Sequence, residues 1–298
     1  MRQALFVVNP AATGHFGLLR RYCQDAAAHH GWEPRFVAAQ AGRHAAELRN
    51  QLSGYLASAG DKLVFAVGGD GTVRACAQHL AGTGVALAIV PRGAANLFAL
   101  ALGIPSALEP ALLAGFRGGE RFVDLAYADG EPFVAMAGIG IDGAVVRSTP
   151  HWLKQHLGWL GYAVAALPHL VDAAHVLTVS LDGAEPLAYH AQAVVIGNVG
   201  LLPGGFSLLP GALVDDGVLD VGVLEPKNLL GWASIARLAI GAGHSGRDPV
   251  EHQRARVIEV RCASELPRQV DGDFLGSSKS LTVRVGRNRL LVRAPQAT

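Results

Sequence analysis

The segment Val67-Gly68-Gly69-Asp70-Gly71-Thr72-Val73 organises the first half of this chain. It follows the apolar run 62–66, which predicts a buried strand, and precedes residues 74–80, which predict a helix. Glycines at such a junction let backbone N–H groups approach a ligand without interference from Cβ atoms. Those groups and the positive end of the helix favour an anion such as a phosphate. Asp70 adds a carboxylate that could hold Mg²⁺, orient a nucleophile or bond the loop. An ordinary strand-to-helix turn is the structural alternative.

The composition is that of a folded globular protein. Of 298 residues, 50% are hydrophobic and 16% charged, which suffices for one large or two medium domains. The formal net charge is +1 with both signs interleaved, so a nucleic-acid partner is not expected. Cys23, Cys76 and Cys262 lie far apart and predict neither a disulfide framework nor a metal site. This usage favours a reducing compartment, and we expect a cytoplasmic protein.

Residues 1–120 alternate between predicted strands and helices. The predicted strands cover 4–8, 35–38, 63–67 and 85–90, and the predicted helices cover 18–30, 44–59 and 74–80. Continuously apolar strands separated by helices are typical of a parallel sheet covered on both faces. Ligands bind at the carboxyl ends of such strands. We therefore expect Asn9, the loop 68–72 and the loop 91–96 at one edge.

The pattern changes near residue 121 to short β-rich segments separated by turns. The predicted strands are 122–127, 132–136, 176–181, 193–196, 219–224, 257–260 and 281–285. This predicts a mostly antiparallel second domain over 121–285. A last strand near 289–292 could return to the first domain, so that 286–298 completes it.

Two further loops carry candidate ligand groups. In residues 91–98, Gly93 permits close approach and Asn96 offers donors and an acceptor, although Asn96 could equally cap the following helix. The segment 210–220 contains three carboxylates, Asp215, Asp216 and Asp220. Oxygen ligands at such a turn suit Mg²⁺ or Ca²⁺, while an ordinary hairpin explains them as well.

Three more segments allow a functional and a structural interpretation. Asp271 and Asp273 could serve as a general base and its partner, or simply form a surface turn. The glycines of 138–143 leave one strand face bare, for a ligand or for a bulge. Residues 152–171 have helical spacing and could contact a lipid surface or an acyl chain, or pack as a buried helix.

Taken in order, these motifs resemble the diacylglycerol kinase catalytic family, which includes sphingosine, ceramide and bacterial lipid kinases. The resemblance covers nearly the whole chain. It rests on these elements: Asn9-Pro10 with Gly14, Gly68–Thr72, Pro91-x-Gly93-x-x-Asn96-x-Phe98, Leu102-Gly103-Ile104-Pro105, Gly138-x-Gly140-x-Asp142, Gly204-Gly205 with Pro210, residues 216–220 and Val270-Asp271-Gly272.

The resemblance implies an α/β nucleotide domain and a C-terminal antiparallel β-sandwich, with the active site in the cleft between them. It implies ATP and Mg²⁺ as cofactors, with the phosphates of ATP on Gly68–Thr72. The other wall of the ATP site is implied at Gly93, Ala94 and Asn96. Asp271 matches the general base that accepts a proton from a lipid hydroxyl. A structural metal position matches Leu213, Asp216 and Val218, the first and last through backbone carbonyls.

The chain departs from the family pattern at several positions. Ala94 and Ala39 stand where Thr is usual, Asp273 where Glu is usual, Leu97 where Asp is frequent, and Arg74-Ala75 where Asn-Glu is frequent. Losing one hydrogen bond to a nucleotide would cost about 0.5–1.5 kcal/mol, which weakens a site without abolishing it.

The sequence thus predicts a kinase that transfers the γ-phosphate of MgATP to a lipid such as diacylglycerol. An ATP-NAD kinase, which shares the Gly-Gly-Asp-Gly-Thr loop, is an alternative enzyme. A lipid-binding module that has lost transfer is an alternative from another class. Contact with the inner face of the membrane is compatible with a lipid substrate, and the resemblance leaves homodimer formation open.

Overall fold

The computed structural model describes residues 2–10, 16–39, 45–148, 168, 173–226, 228–239 and 250–296. Gly14, His44 and the helix predicted over 152–171 (Pro168 excepted) lie outside these residues. The chain divides into two compact units. The first comprises Met1–Leu125 and Asn288–Thr298, and the second comprises Ala126–Arg287.

The first unit is an α/β structure. Its elements are β1 (Arg2–Val8), α1 (Phe16–His29), β2 (Glu33–Ala38), α2 (Ala45–Ala57), β3 (Asp61–Gly68), α3 (Asp70–Leu80), β4 (Ala86–Pro91), α4 (Leu97–Ala101), α5 (Leu108–Arg117), β5 (Gly119–Val123) and β18 (Leu290–Ala294). Within the described residues they form a six-stranded sheet in the order β2-β1-β3-β4-β18-β5. β1 to β4 are parallel and β18 runs parallel to β4, while β5 pairs antiparallel with β18 at the edge.

The central strands are apolar on both faces because both faces are covered. β4 is buried along its whole length, and β3 is buried from Leu63 to Gly68. Phe6 and Phe65 stack with ring centroids 4.7 Å apart, and Phe116 of α5 packs on Phe65 at 4.7 Å. This core fixes the strand register, so the carboxyl ends of β1, β3 and β4 lie side by side.

The predicted single strand 122–127 is wrong, because the structure divides it between the two units. β5 ends at Val123 in the first sheet, and the next strand begins at Ala126 in the second unit. Asp124 at this junction is 4% exposed, and its Oδ1 lies 3.3 Å from Nε of Arg289. The strand predicted near 289–292 is β18, which lies between β4 and β5.

The second unit is antiparallel. Its elements are β6 (Ala126–Ala128), β7 (Glu131–Phe133), β8 (Met136–Gly140), α6 (Ile141–Ser148), β9 (His175–Leu181), β10 (Leu187–Ala191), β11 (Ala193–Gly197), β12 (Leu201–Leu202), β13 (Phe206–Ser207), β14 (Leu219–Leu224), α7 (Leu229–Ala239), β15 (Val250–Ala255), β16 (Val257–Val270) and β17 (Asp273–Val285). The main sheet follows the order β15-β14-β11-β8-β16-β17-β6-β7, with β9 on β16 and β10 on β9.

The long strand β16 turns this sheet into a sandwich. Its first half, Ile258–Cys262, pairs with β9, and its last residues, Arg268–Val270, pair with β8. Register irregularities separate the two halves, and such irregularities bend a strand. Apolar residues from both halves therefore face one core. The α/β plus β-sandwich fold expected from the sequence is confirmed.

The glycines of 138–143 mark a strand-to-helix junction. β8 ends at Gly140, which has φ of +102°, and α6 begins at Ile141. A Cβ atom on Gly143 would lie 2.3 Å from the carbonyl oxygen of Pro267, so α6 packs directly on β16. The predicted strand 132–136 is likewise corrected to β7 and the start of β8. Among the described residues, no helix is both long enough and apolar enough to cross a membrane.

Candidate active site

The loop from β3 to α3 is tightly closed on itself. β3 ends at Gly68, and the N–H groups of Thr72 and Val73 donate to the carbonyl of Gly69 at 2.9 and 3.1 Å. A Cβ atom on Gly68 would lie 2.3 Å from Oγ1 of Thr72, which is buried. Glycine is therefore required at Gly68 because the Thr72 side chain fills that space.

The loop after β4 packs against this glycine loop through backbone atoms. The N–H of Arg92 donates to the carbonyl of Gly68 at 2.8 Å. A Cβ atom on Gly93 would lie 2.4 Å from Cα of Gly69, and one on Gly69 would lie 2.9 Å from Cα of Gly93. We expected glycines that make room for a ligand. At these two positions they also make room for each other.

Asp70 joins the two loops. Its Oδ2 accepts the N–H of Leu97 at 3.0 Å, and its Oδ1 accepts the N–H of Phe98 at 3.1 Å. The carboxylate thereby binds the first N–H groups of α4, which have no partner within that helix. Burial raises the pKa of Asp70, and these backbone N–H groups oppose that rise. Of the three roles open to Asp70 from the sequence, the structure shows the bond to the neighbouring loop.

Asn96 fixes the shape of the second loop. It adopts left-handed backbone angles (φ 50°, ψ 46°), its Oδ1 accepts the N–H of Gly93, and its Nδ2 donates to the carbonyl of Gly93, both at 2.8 Å. The side chain therefore acts within its own loop and makes no capping hydrogen bond to α4, whose first N–H groups are bound by Asp70. Between Gly93 and Asn96, Ala94 is exposed.

The other predicted positions of this edge lie where the sheet order places them. The N–H of Asn9 donates to the carbonyl of Val67 at 3.0 Å, and the N–H of Ala39 donates to the carbonyl of Val8 at 2.7 Å. Asn9, the two glycine-containing loops and Ala39 thus follow the carboxyl ends of neighbouring parallel strands. This is the edge where parallel sheets bind ligands.

In the second unit, Asp271 follows β16 and binds the chain just before and at the start of β8. Its Oδ1 accepts the N–H groups of Ala135 (2.8 Å) and Met136 (3.2 Å), and its Oδ2 accepts that of Val134 (3.0 Å). Its own N–H donates to the carbonyl of Met136 at 2.8 Å. A carboxylate accepts through both oxygens, so these three bonds fix its orientation.

Asp271 also shares a turn type with two other aspartates. Asp129, Asp182 and Asp271 each precede a glycine and have φ of 48–51°, and each carboxylate accepts at least one backbone N–H group. The side chain of Asp273, the nearby partner considered in the sequence, is exposed. The turn conformation alone therefore does not distinguish a catalytic aspartate from a structural one.

At the predicted metal position, the structure places an arginine on the acidic side chain. Asp216 accepts the N–H of Val218 through Oδ1 at 3.2 Å and Nη2 of Arg254 through Oδ2. Arg254 also reaches Asp220, with Nε 3.5 Å from Oδ2. Burial raises the pKa of Asp220, and Arg254 opposes that rise. Leu213, the third predicted ligand residue besides Asp216 and Val218, is 55% exposed.

This arrangement does not fit the ion that the resemblance implied. Both oxygens of Asp216 already have donors, and the positive charge next to them belongs to the guanidinium of Arg254. A divalent cation at the same carboxylate would be repelled by that charge. In this structure Arg254 bridges Asp216 and Asp220, while the metal position at Leu213, Asp216 and Val218 stays a prediction. Within the described residues, no group of three or more His, Cys, Asp or Glu side chains could hold a metal.

Two residues of these sites were not singled out from the sequence. Arg254 pairs across β14 and β15 with Asp220, which only the strand register reveals. Asn198, 1% exposed, donates through Nδ2 to the carbonyl of Val134 at 3.3 Å. A polar residue two positions after the fully apolar run 193–196 was the available signal for Asn198.

Two family models together match almost the whole chain. The diacylglycerol kinase catalytic domain matches residues 3–128, and the YegS C-terminal NAD kinase beta sandwich-like domain matches residues 135–292. A probable lipid kinase YegS-like protein of Pseudomonas aeruginosa is 36% identical over 80% of this chain and 78% of its own length. An uncharacterised protein of Synechocystis is 31% identical over 74% of this chain. The match covers 52% of the length of that protein.

Solved structures show the same fold. A putative diacylglycerol kinase from Bacillus anthracis superposes with a TM-score of 0.82 at 22% identity, covering 99% of this chain and 96% of its own. Yeast NADH kinase superposes with a TM-score of 0.50 at 12% identity, covering 99% of this chain and 84% of its own. On the family models and the Pseudomonas relative, this chain belongs to the lipid-kinase family built from a diacylglycerol kinase catalytic domain and a YegS-type C-terminal domain.

Proposed function

We propose that this protein transfers the γ-phosphate of MgATP to a hydroxyl group of a lipid such as diacylglycerol. The observation that carries the proposal is the pair of loops after β3 and β4, packed at Gly69 and Gly93 and joined through Asp70. The pair is held by backbone bonds at the ligand-binding edge of a parallel sheet. Phosphoryl transfer requires mainly positioning and charge stabilisation, which a rigid loop pair can supply.

In this proposal ATP binds in the first unit. Its phosphates lie on residues Gly68–Thr72, where the start of α3 favours negative charge. Gly93, Ala94 and Asn96 form the other wall, and Asn9 lies at the same edge. Mg²⁺ bound together with ATP would neutralise phosphate charge during transfer. Asp70 holds the wall in place, because both of its oxygens accept N–H groups from the start of α4.

Asp271 is proposed as the general base. Its carboxylate is oriented by three backbone N–H groups, and a base needs a fixed orientation and one lone pair directed at the hydroxyl proton. The expectation that Asp271 and the ATP loops face a common cleft stays a prediction. Since the acceptor is a membrane lipid, we also propose a cytoplasmic protein that contacts the membrane surface during turnover.

Two observations motivate the alternatives. The fold is shared with yeast NADH kinase, so NAD is tested as a second acceptor. Ala94 is exposed and lacks the hydroxyl usual in the family, which motivates a lipid-binding module without transfer. These alternatives predict different outcomes. The first predicts phosphorylated NAD, and the second predicts bound lipid without ATP turnover.

The deciding experiment measures transfer of labelled γ-phosphate from ATP and Mg²⁺ into a total bacterial lipid extract, with NAD in a parallel reaction. Asp271→Asn is compared with Asp182→Asn. Asp182 has the same turn conformation, and its Oδ1 accepts the N–H groups of Arg256 and Val257 at 2.9 and 2.8 Å. ATP binding is measured on each variant by calorimetry.

We expect a labelled lipid with the unchanged chain, at least a 100-fold loss with Asp271→Asn, and near-normal transfer with Asp182→Asn. ATP should still bind to Asp271→Asn, because the ATP loops belong to the first unit. Equal loss in both variants would show that Asp271 only maintains its turn. Label on NAD and not on lipid would replace the lipid-kinase proposal with the NAD kinase alternative.

A further inference from the structure

Asn198 and Asp271 hold the same stretch of backbone from opposite sides. β8 lies between β11 and β16, and both neighbours run antiparallel to it. The carboxyl ends of β11 and β16 therefore flank the beginning of β8. Asn198 directly follows β11, Asp271 directly follows β16, and the stretch between them is Val134-Ala135-Met136.

The contacts on this stretch divide by chemical type. Asp271 accepts its N–H groups, at 3.0 Å from Val134, 2.8 Å from Ala135 and 3.2 Å from Met136. Asn198 donates to its carbonyl groups, through Nδ2 to Val134 at 3.3 Å and through the backbone N–H to Ala135 at 2.9 Å.

These contacts meet on the same two peptide groups. The Val134 carbonyl and the Ala135 N–H belong to one peptide unit, and the Ala135 carbonyl and the Met136 N–H belong to the next. A donor on the carbonyl of a peptide unit polarises it, which makes its N–H a stronger donor. Asn198 therefore strengthens the two N–H groups that Oδ1 of Asp271 accepts.

The loop that carries Asn198 is itself rigidly held. A Cβ atom on Gly197 would lie 2.5 Å from Cδ1 of Leu209, and one on Gly200 would lie 1.8 Å from the Leu209 carbonyl oxygen. The N–H of Val199 adds a second bond to the Ala135 carbonyl, at 3.3 Å. Asn198 is 1% exposed, so water does not compete for these bonds.

We propose that Asn198 is a positioning residue for Asp271, acting through the backbone of Val134, Ala135 and Met136. It fixes the direction of the Asp271 carboxylate and stabilises its charged form. This proposal rests on the proposed function for its catalytic meaning, while the positioning itself can be measured without any substrate.

The test follows the amide protons of Ala135 and Met136 by NMR as the pH is changed, in the full chain. The chemical shifts of both protons should change with pH around one midpoint, that of Asp271. This change should be absent in Asp271→Asn. In Asn198→Ala we expect the midpoint to rise by about half a pH unit, a threefold change in proton affinity. Asn198→Asp, which has the same shape but no N–H donor when ionised, should raise it further.

Tyr189→Phe serves as the matched control in the same unit. Tyr189 lies on strand β10. The variant removes the hydrogen bonds of its hydroxyl group with Glu251 (3.0 Å) and Gln253 (2.9 Å). It should lower stability without moving the Asp271 midpoint. If Asn198→Ala does not fold, Asn198→Ser, which removes the carboxamide donor and adds no charge, gives the same comparison. An unchanged midpoint in a folded Asn198 variant would overturn the proposal.

Phosphate transfer gives the second measurement. In Asn198→Ala we expect kcat to fall threefold to tenfold, while the KM for ATP stays the same. In the pH profile of kcat, the acid limb should move to higher pH. A fall in kcat with an unmoved acid limb would also overturn the proposal. If the unchanged chain transfers no phosphate, the proposed function fails, and the amide titration still decides the role of Asn198.

Discussion

The backbones of Gly69 and Gly93 are in direct contact, although 24 positions separate them in the chain: a Cβ atom on Gly93 would lie 2.4 Å from Cα of Gly69. The same Cβ atom would lie 2.9 Å from Oδ1 of Asn96. The first obstacle is backbone, which cannot rotate away as a side chain can. The distance between the two loops of the proposed ATP site is therefore set by the absence of two Cβ atoms.

Replacing Gly93 tests this contact. We expect Gly93→Ala to lower the free energy of unfolding by about 1–3 kcal/mol, as overpacking does, and to weaken ATP binding by more than tenfold. Urea denaturation and calorimetry measure the two effects. Gly54→Ala is the control, since Gly54 lies in α2 with open space around it. This variant should raise the free energy of unfolding by about 0.5–1 kcal/mol. Normal ATP binding by a folded Gly93→Ala protein would contradict the proposed wall.

The raised pKa of Asp70 predicts a pH dependence of stability. The protonated form is favoured by the folded chain, so the contribution of Asp70 to stability is fully present below its ordinary pKa of 3.8 and is lost as pH rises through the raised value. The free energy of unfolding, taken relative to Asp70→Asn, should therefore decrease with pH above 3.8, by at most about 1.4 kcal/mol per pH unit.

Chemical denaturation of both proteins from pH 4 to pH 7 measures this difference. Asp70→Asn also loses one acceptor for the N–H groups of Leu97 and Phe98, but that loss does not change with pH. A difference that increases with pH would show that the backbone donors outweigh burial. In that case the charged form of Asp70 would be the stabilising one.

Arg254 predicts how the second unit responds to divalent cations. With Arg254 on Asp216 and Asp220, the melting temperature of the unchanged chain should be the same in Ca²⁺, Mg²⁺ and EDTA, in the absence of ATP. Arg254→Met leaves the two carboxylates without their counter-charge, and we expect a loss of about 1–2 kcal/mol that millimolar Ca²⁺ restores.

The double variant Arg254→Met with Asp216→Asn is the matched control and should not respond to Ca²⁺. A melting temperature of the unchanged chain that rises with Ca²⁺, and no longer does so in Asp216→Asn, would contradict the arginine bridge. It would restore the metal position expected from the family pattern.

Ala94 offers a gain-of-function test. Ala94 is exposed in the loop between Gly93 and Asn96, so a larger side chain there faces solvent. We expect Ala94→Thr to tighten ATP binding by up to about tenfold, the value of one hydrogen bond. Ala184→Thr, at an exposed turn of the second unit, should leave ATP binding unchanged. Equal binding by both variants would place ATP away from Ala94.

The sequence by itself determined the features that depend on local chemistry. Apolar runs without alternation indicated the parallel strands β1, β3 and β4, and glycine-containing loops after β3 and β4 indicated one ligand-binding edge. The aspartate-glycine turn at Asp271 also follows from local backbone preference, since aspartate and glycine tolerate positive φ. The order of these motifs was sufficient to indicate the family.

The tertiary structure alone decided what the polar side chains bind. The partners of Asp70 lie 27 and 28 positions away, Arg254 lies 38 positions from Asp216, and Asn198 lies 64 positions from Val134. Such pairs are set by strand order and register, which local sequence patterns do not contain. For the same reason one predicted strand, 122–127, proved to be two strands in different sheets. Local preference fixes an element, whereas the packing of distant elements fixes its contacts.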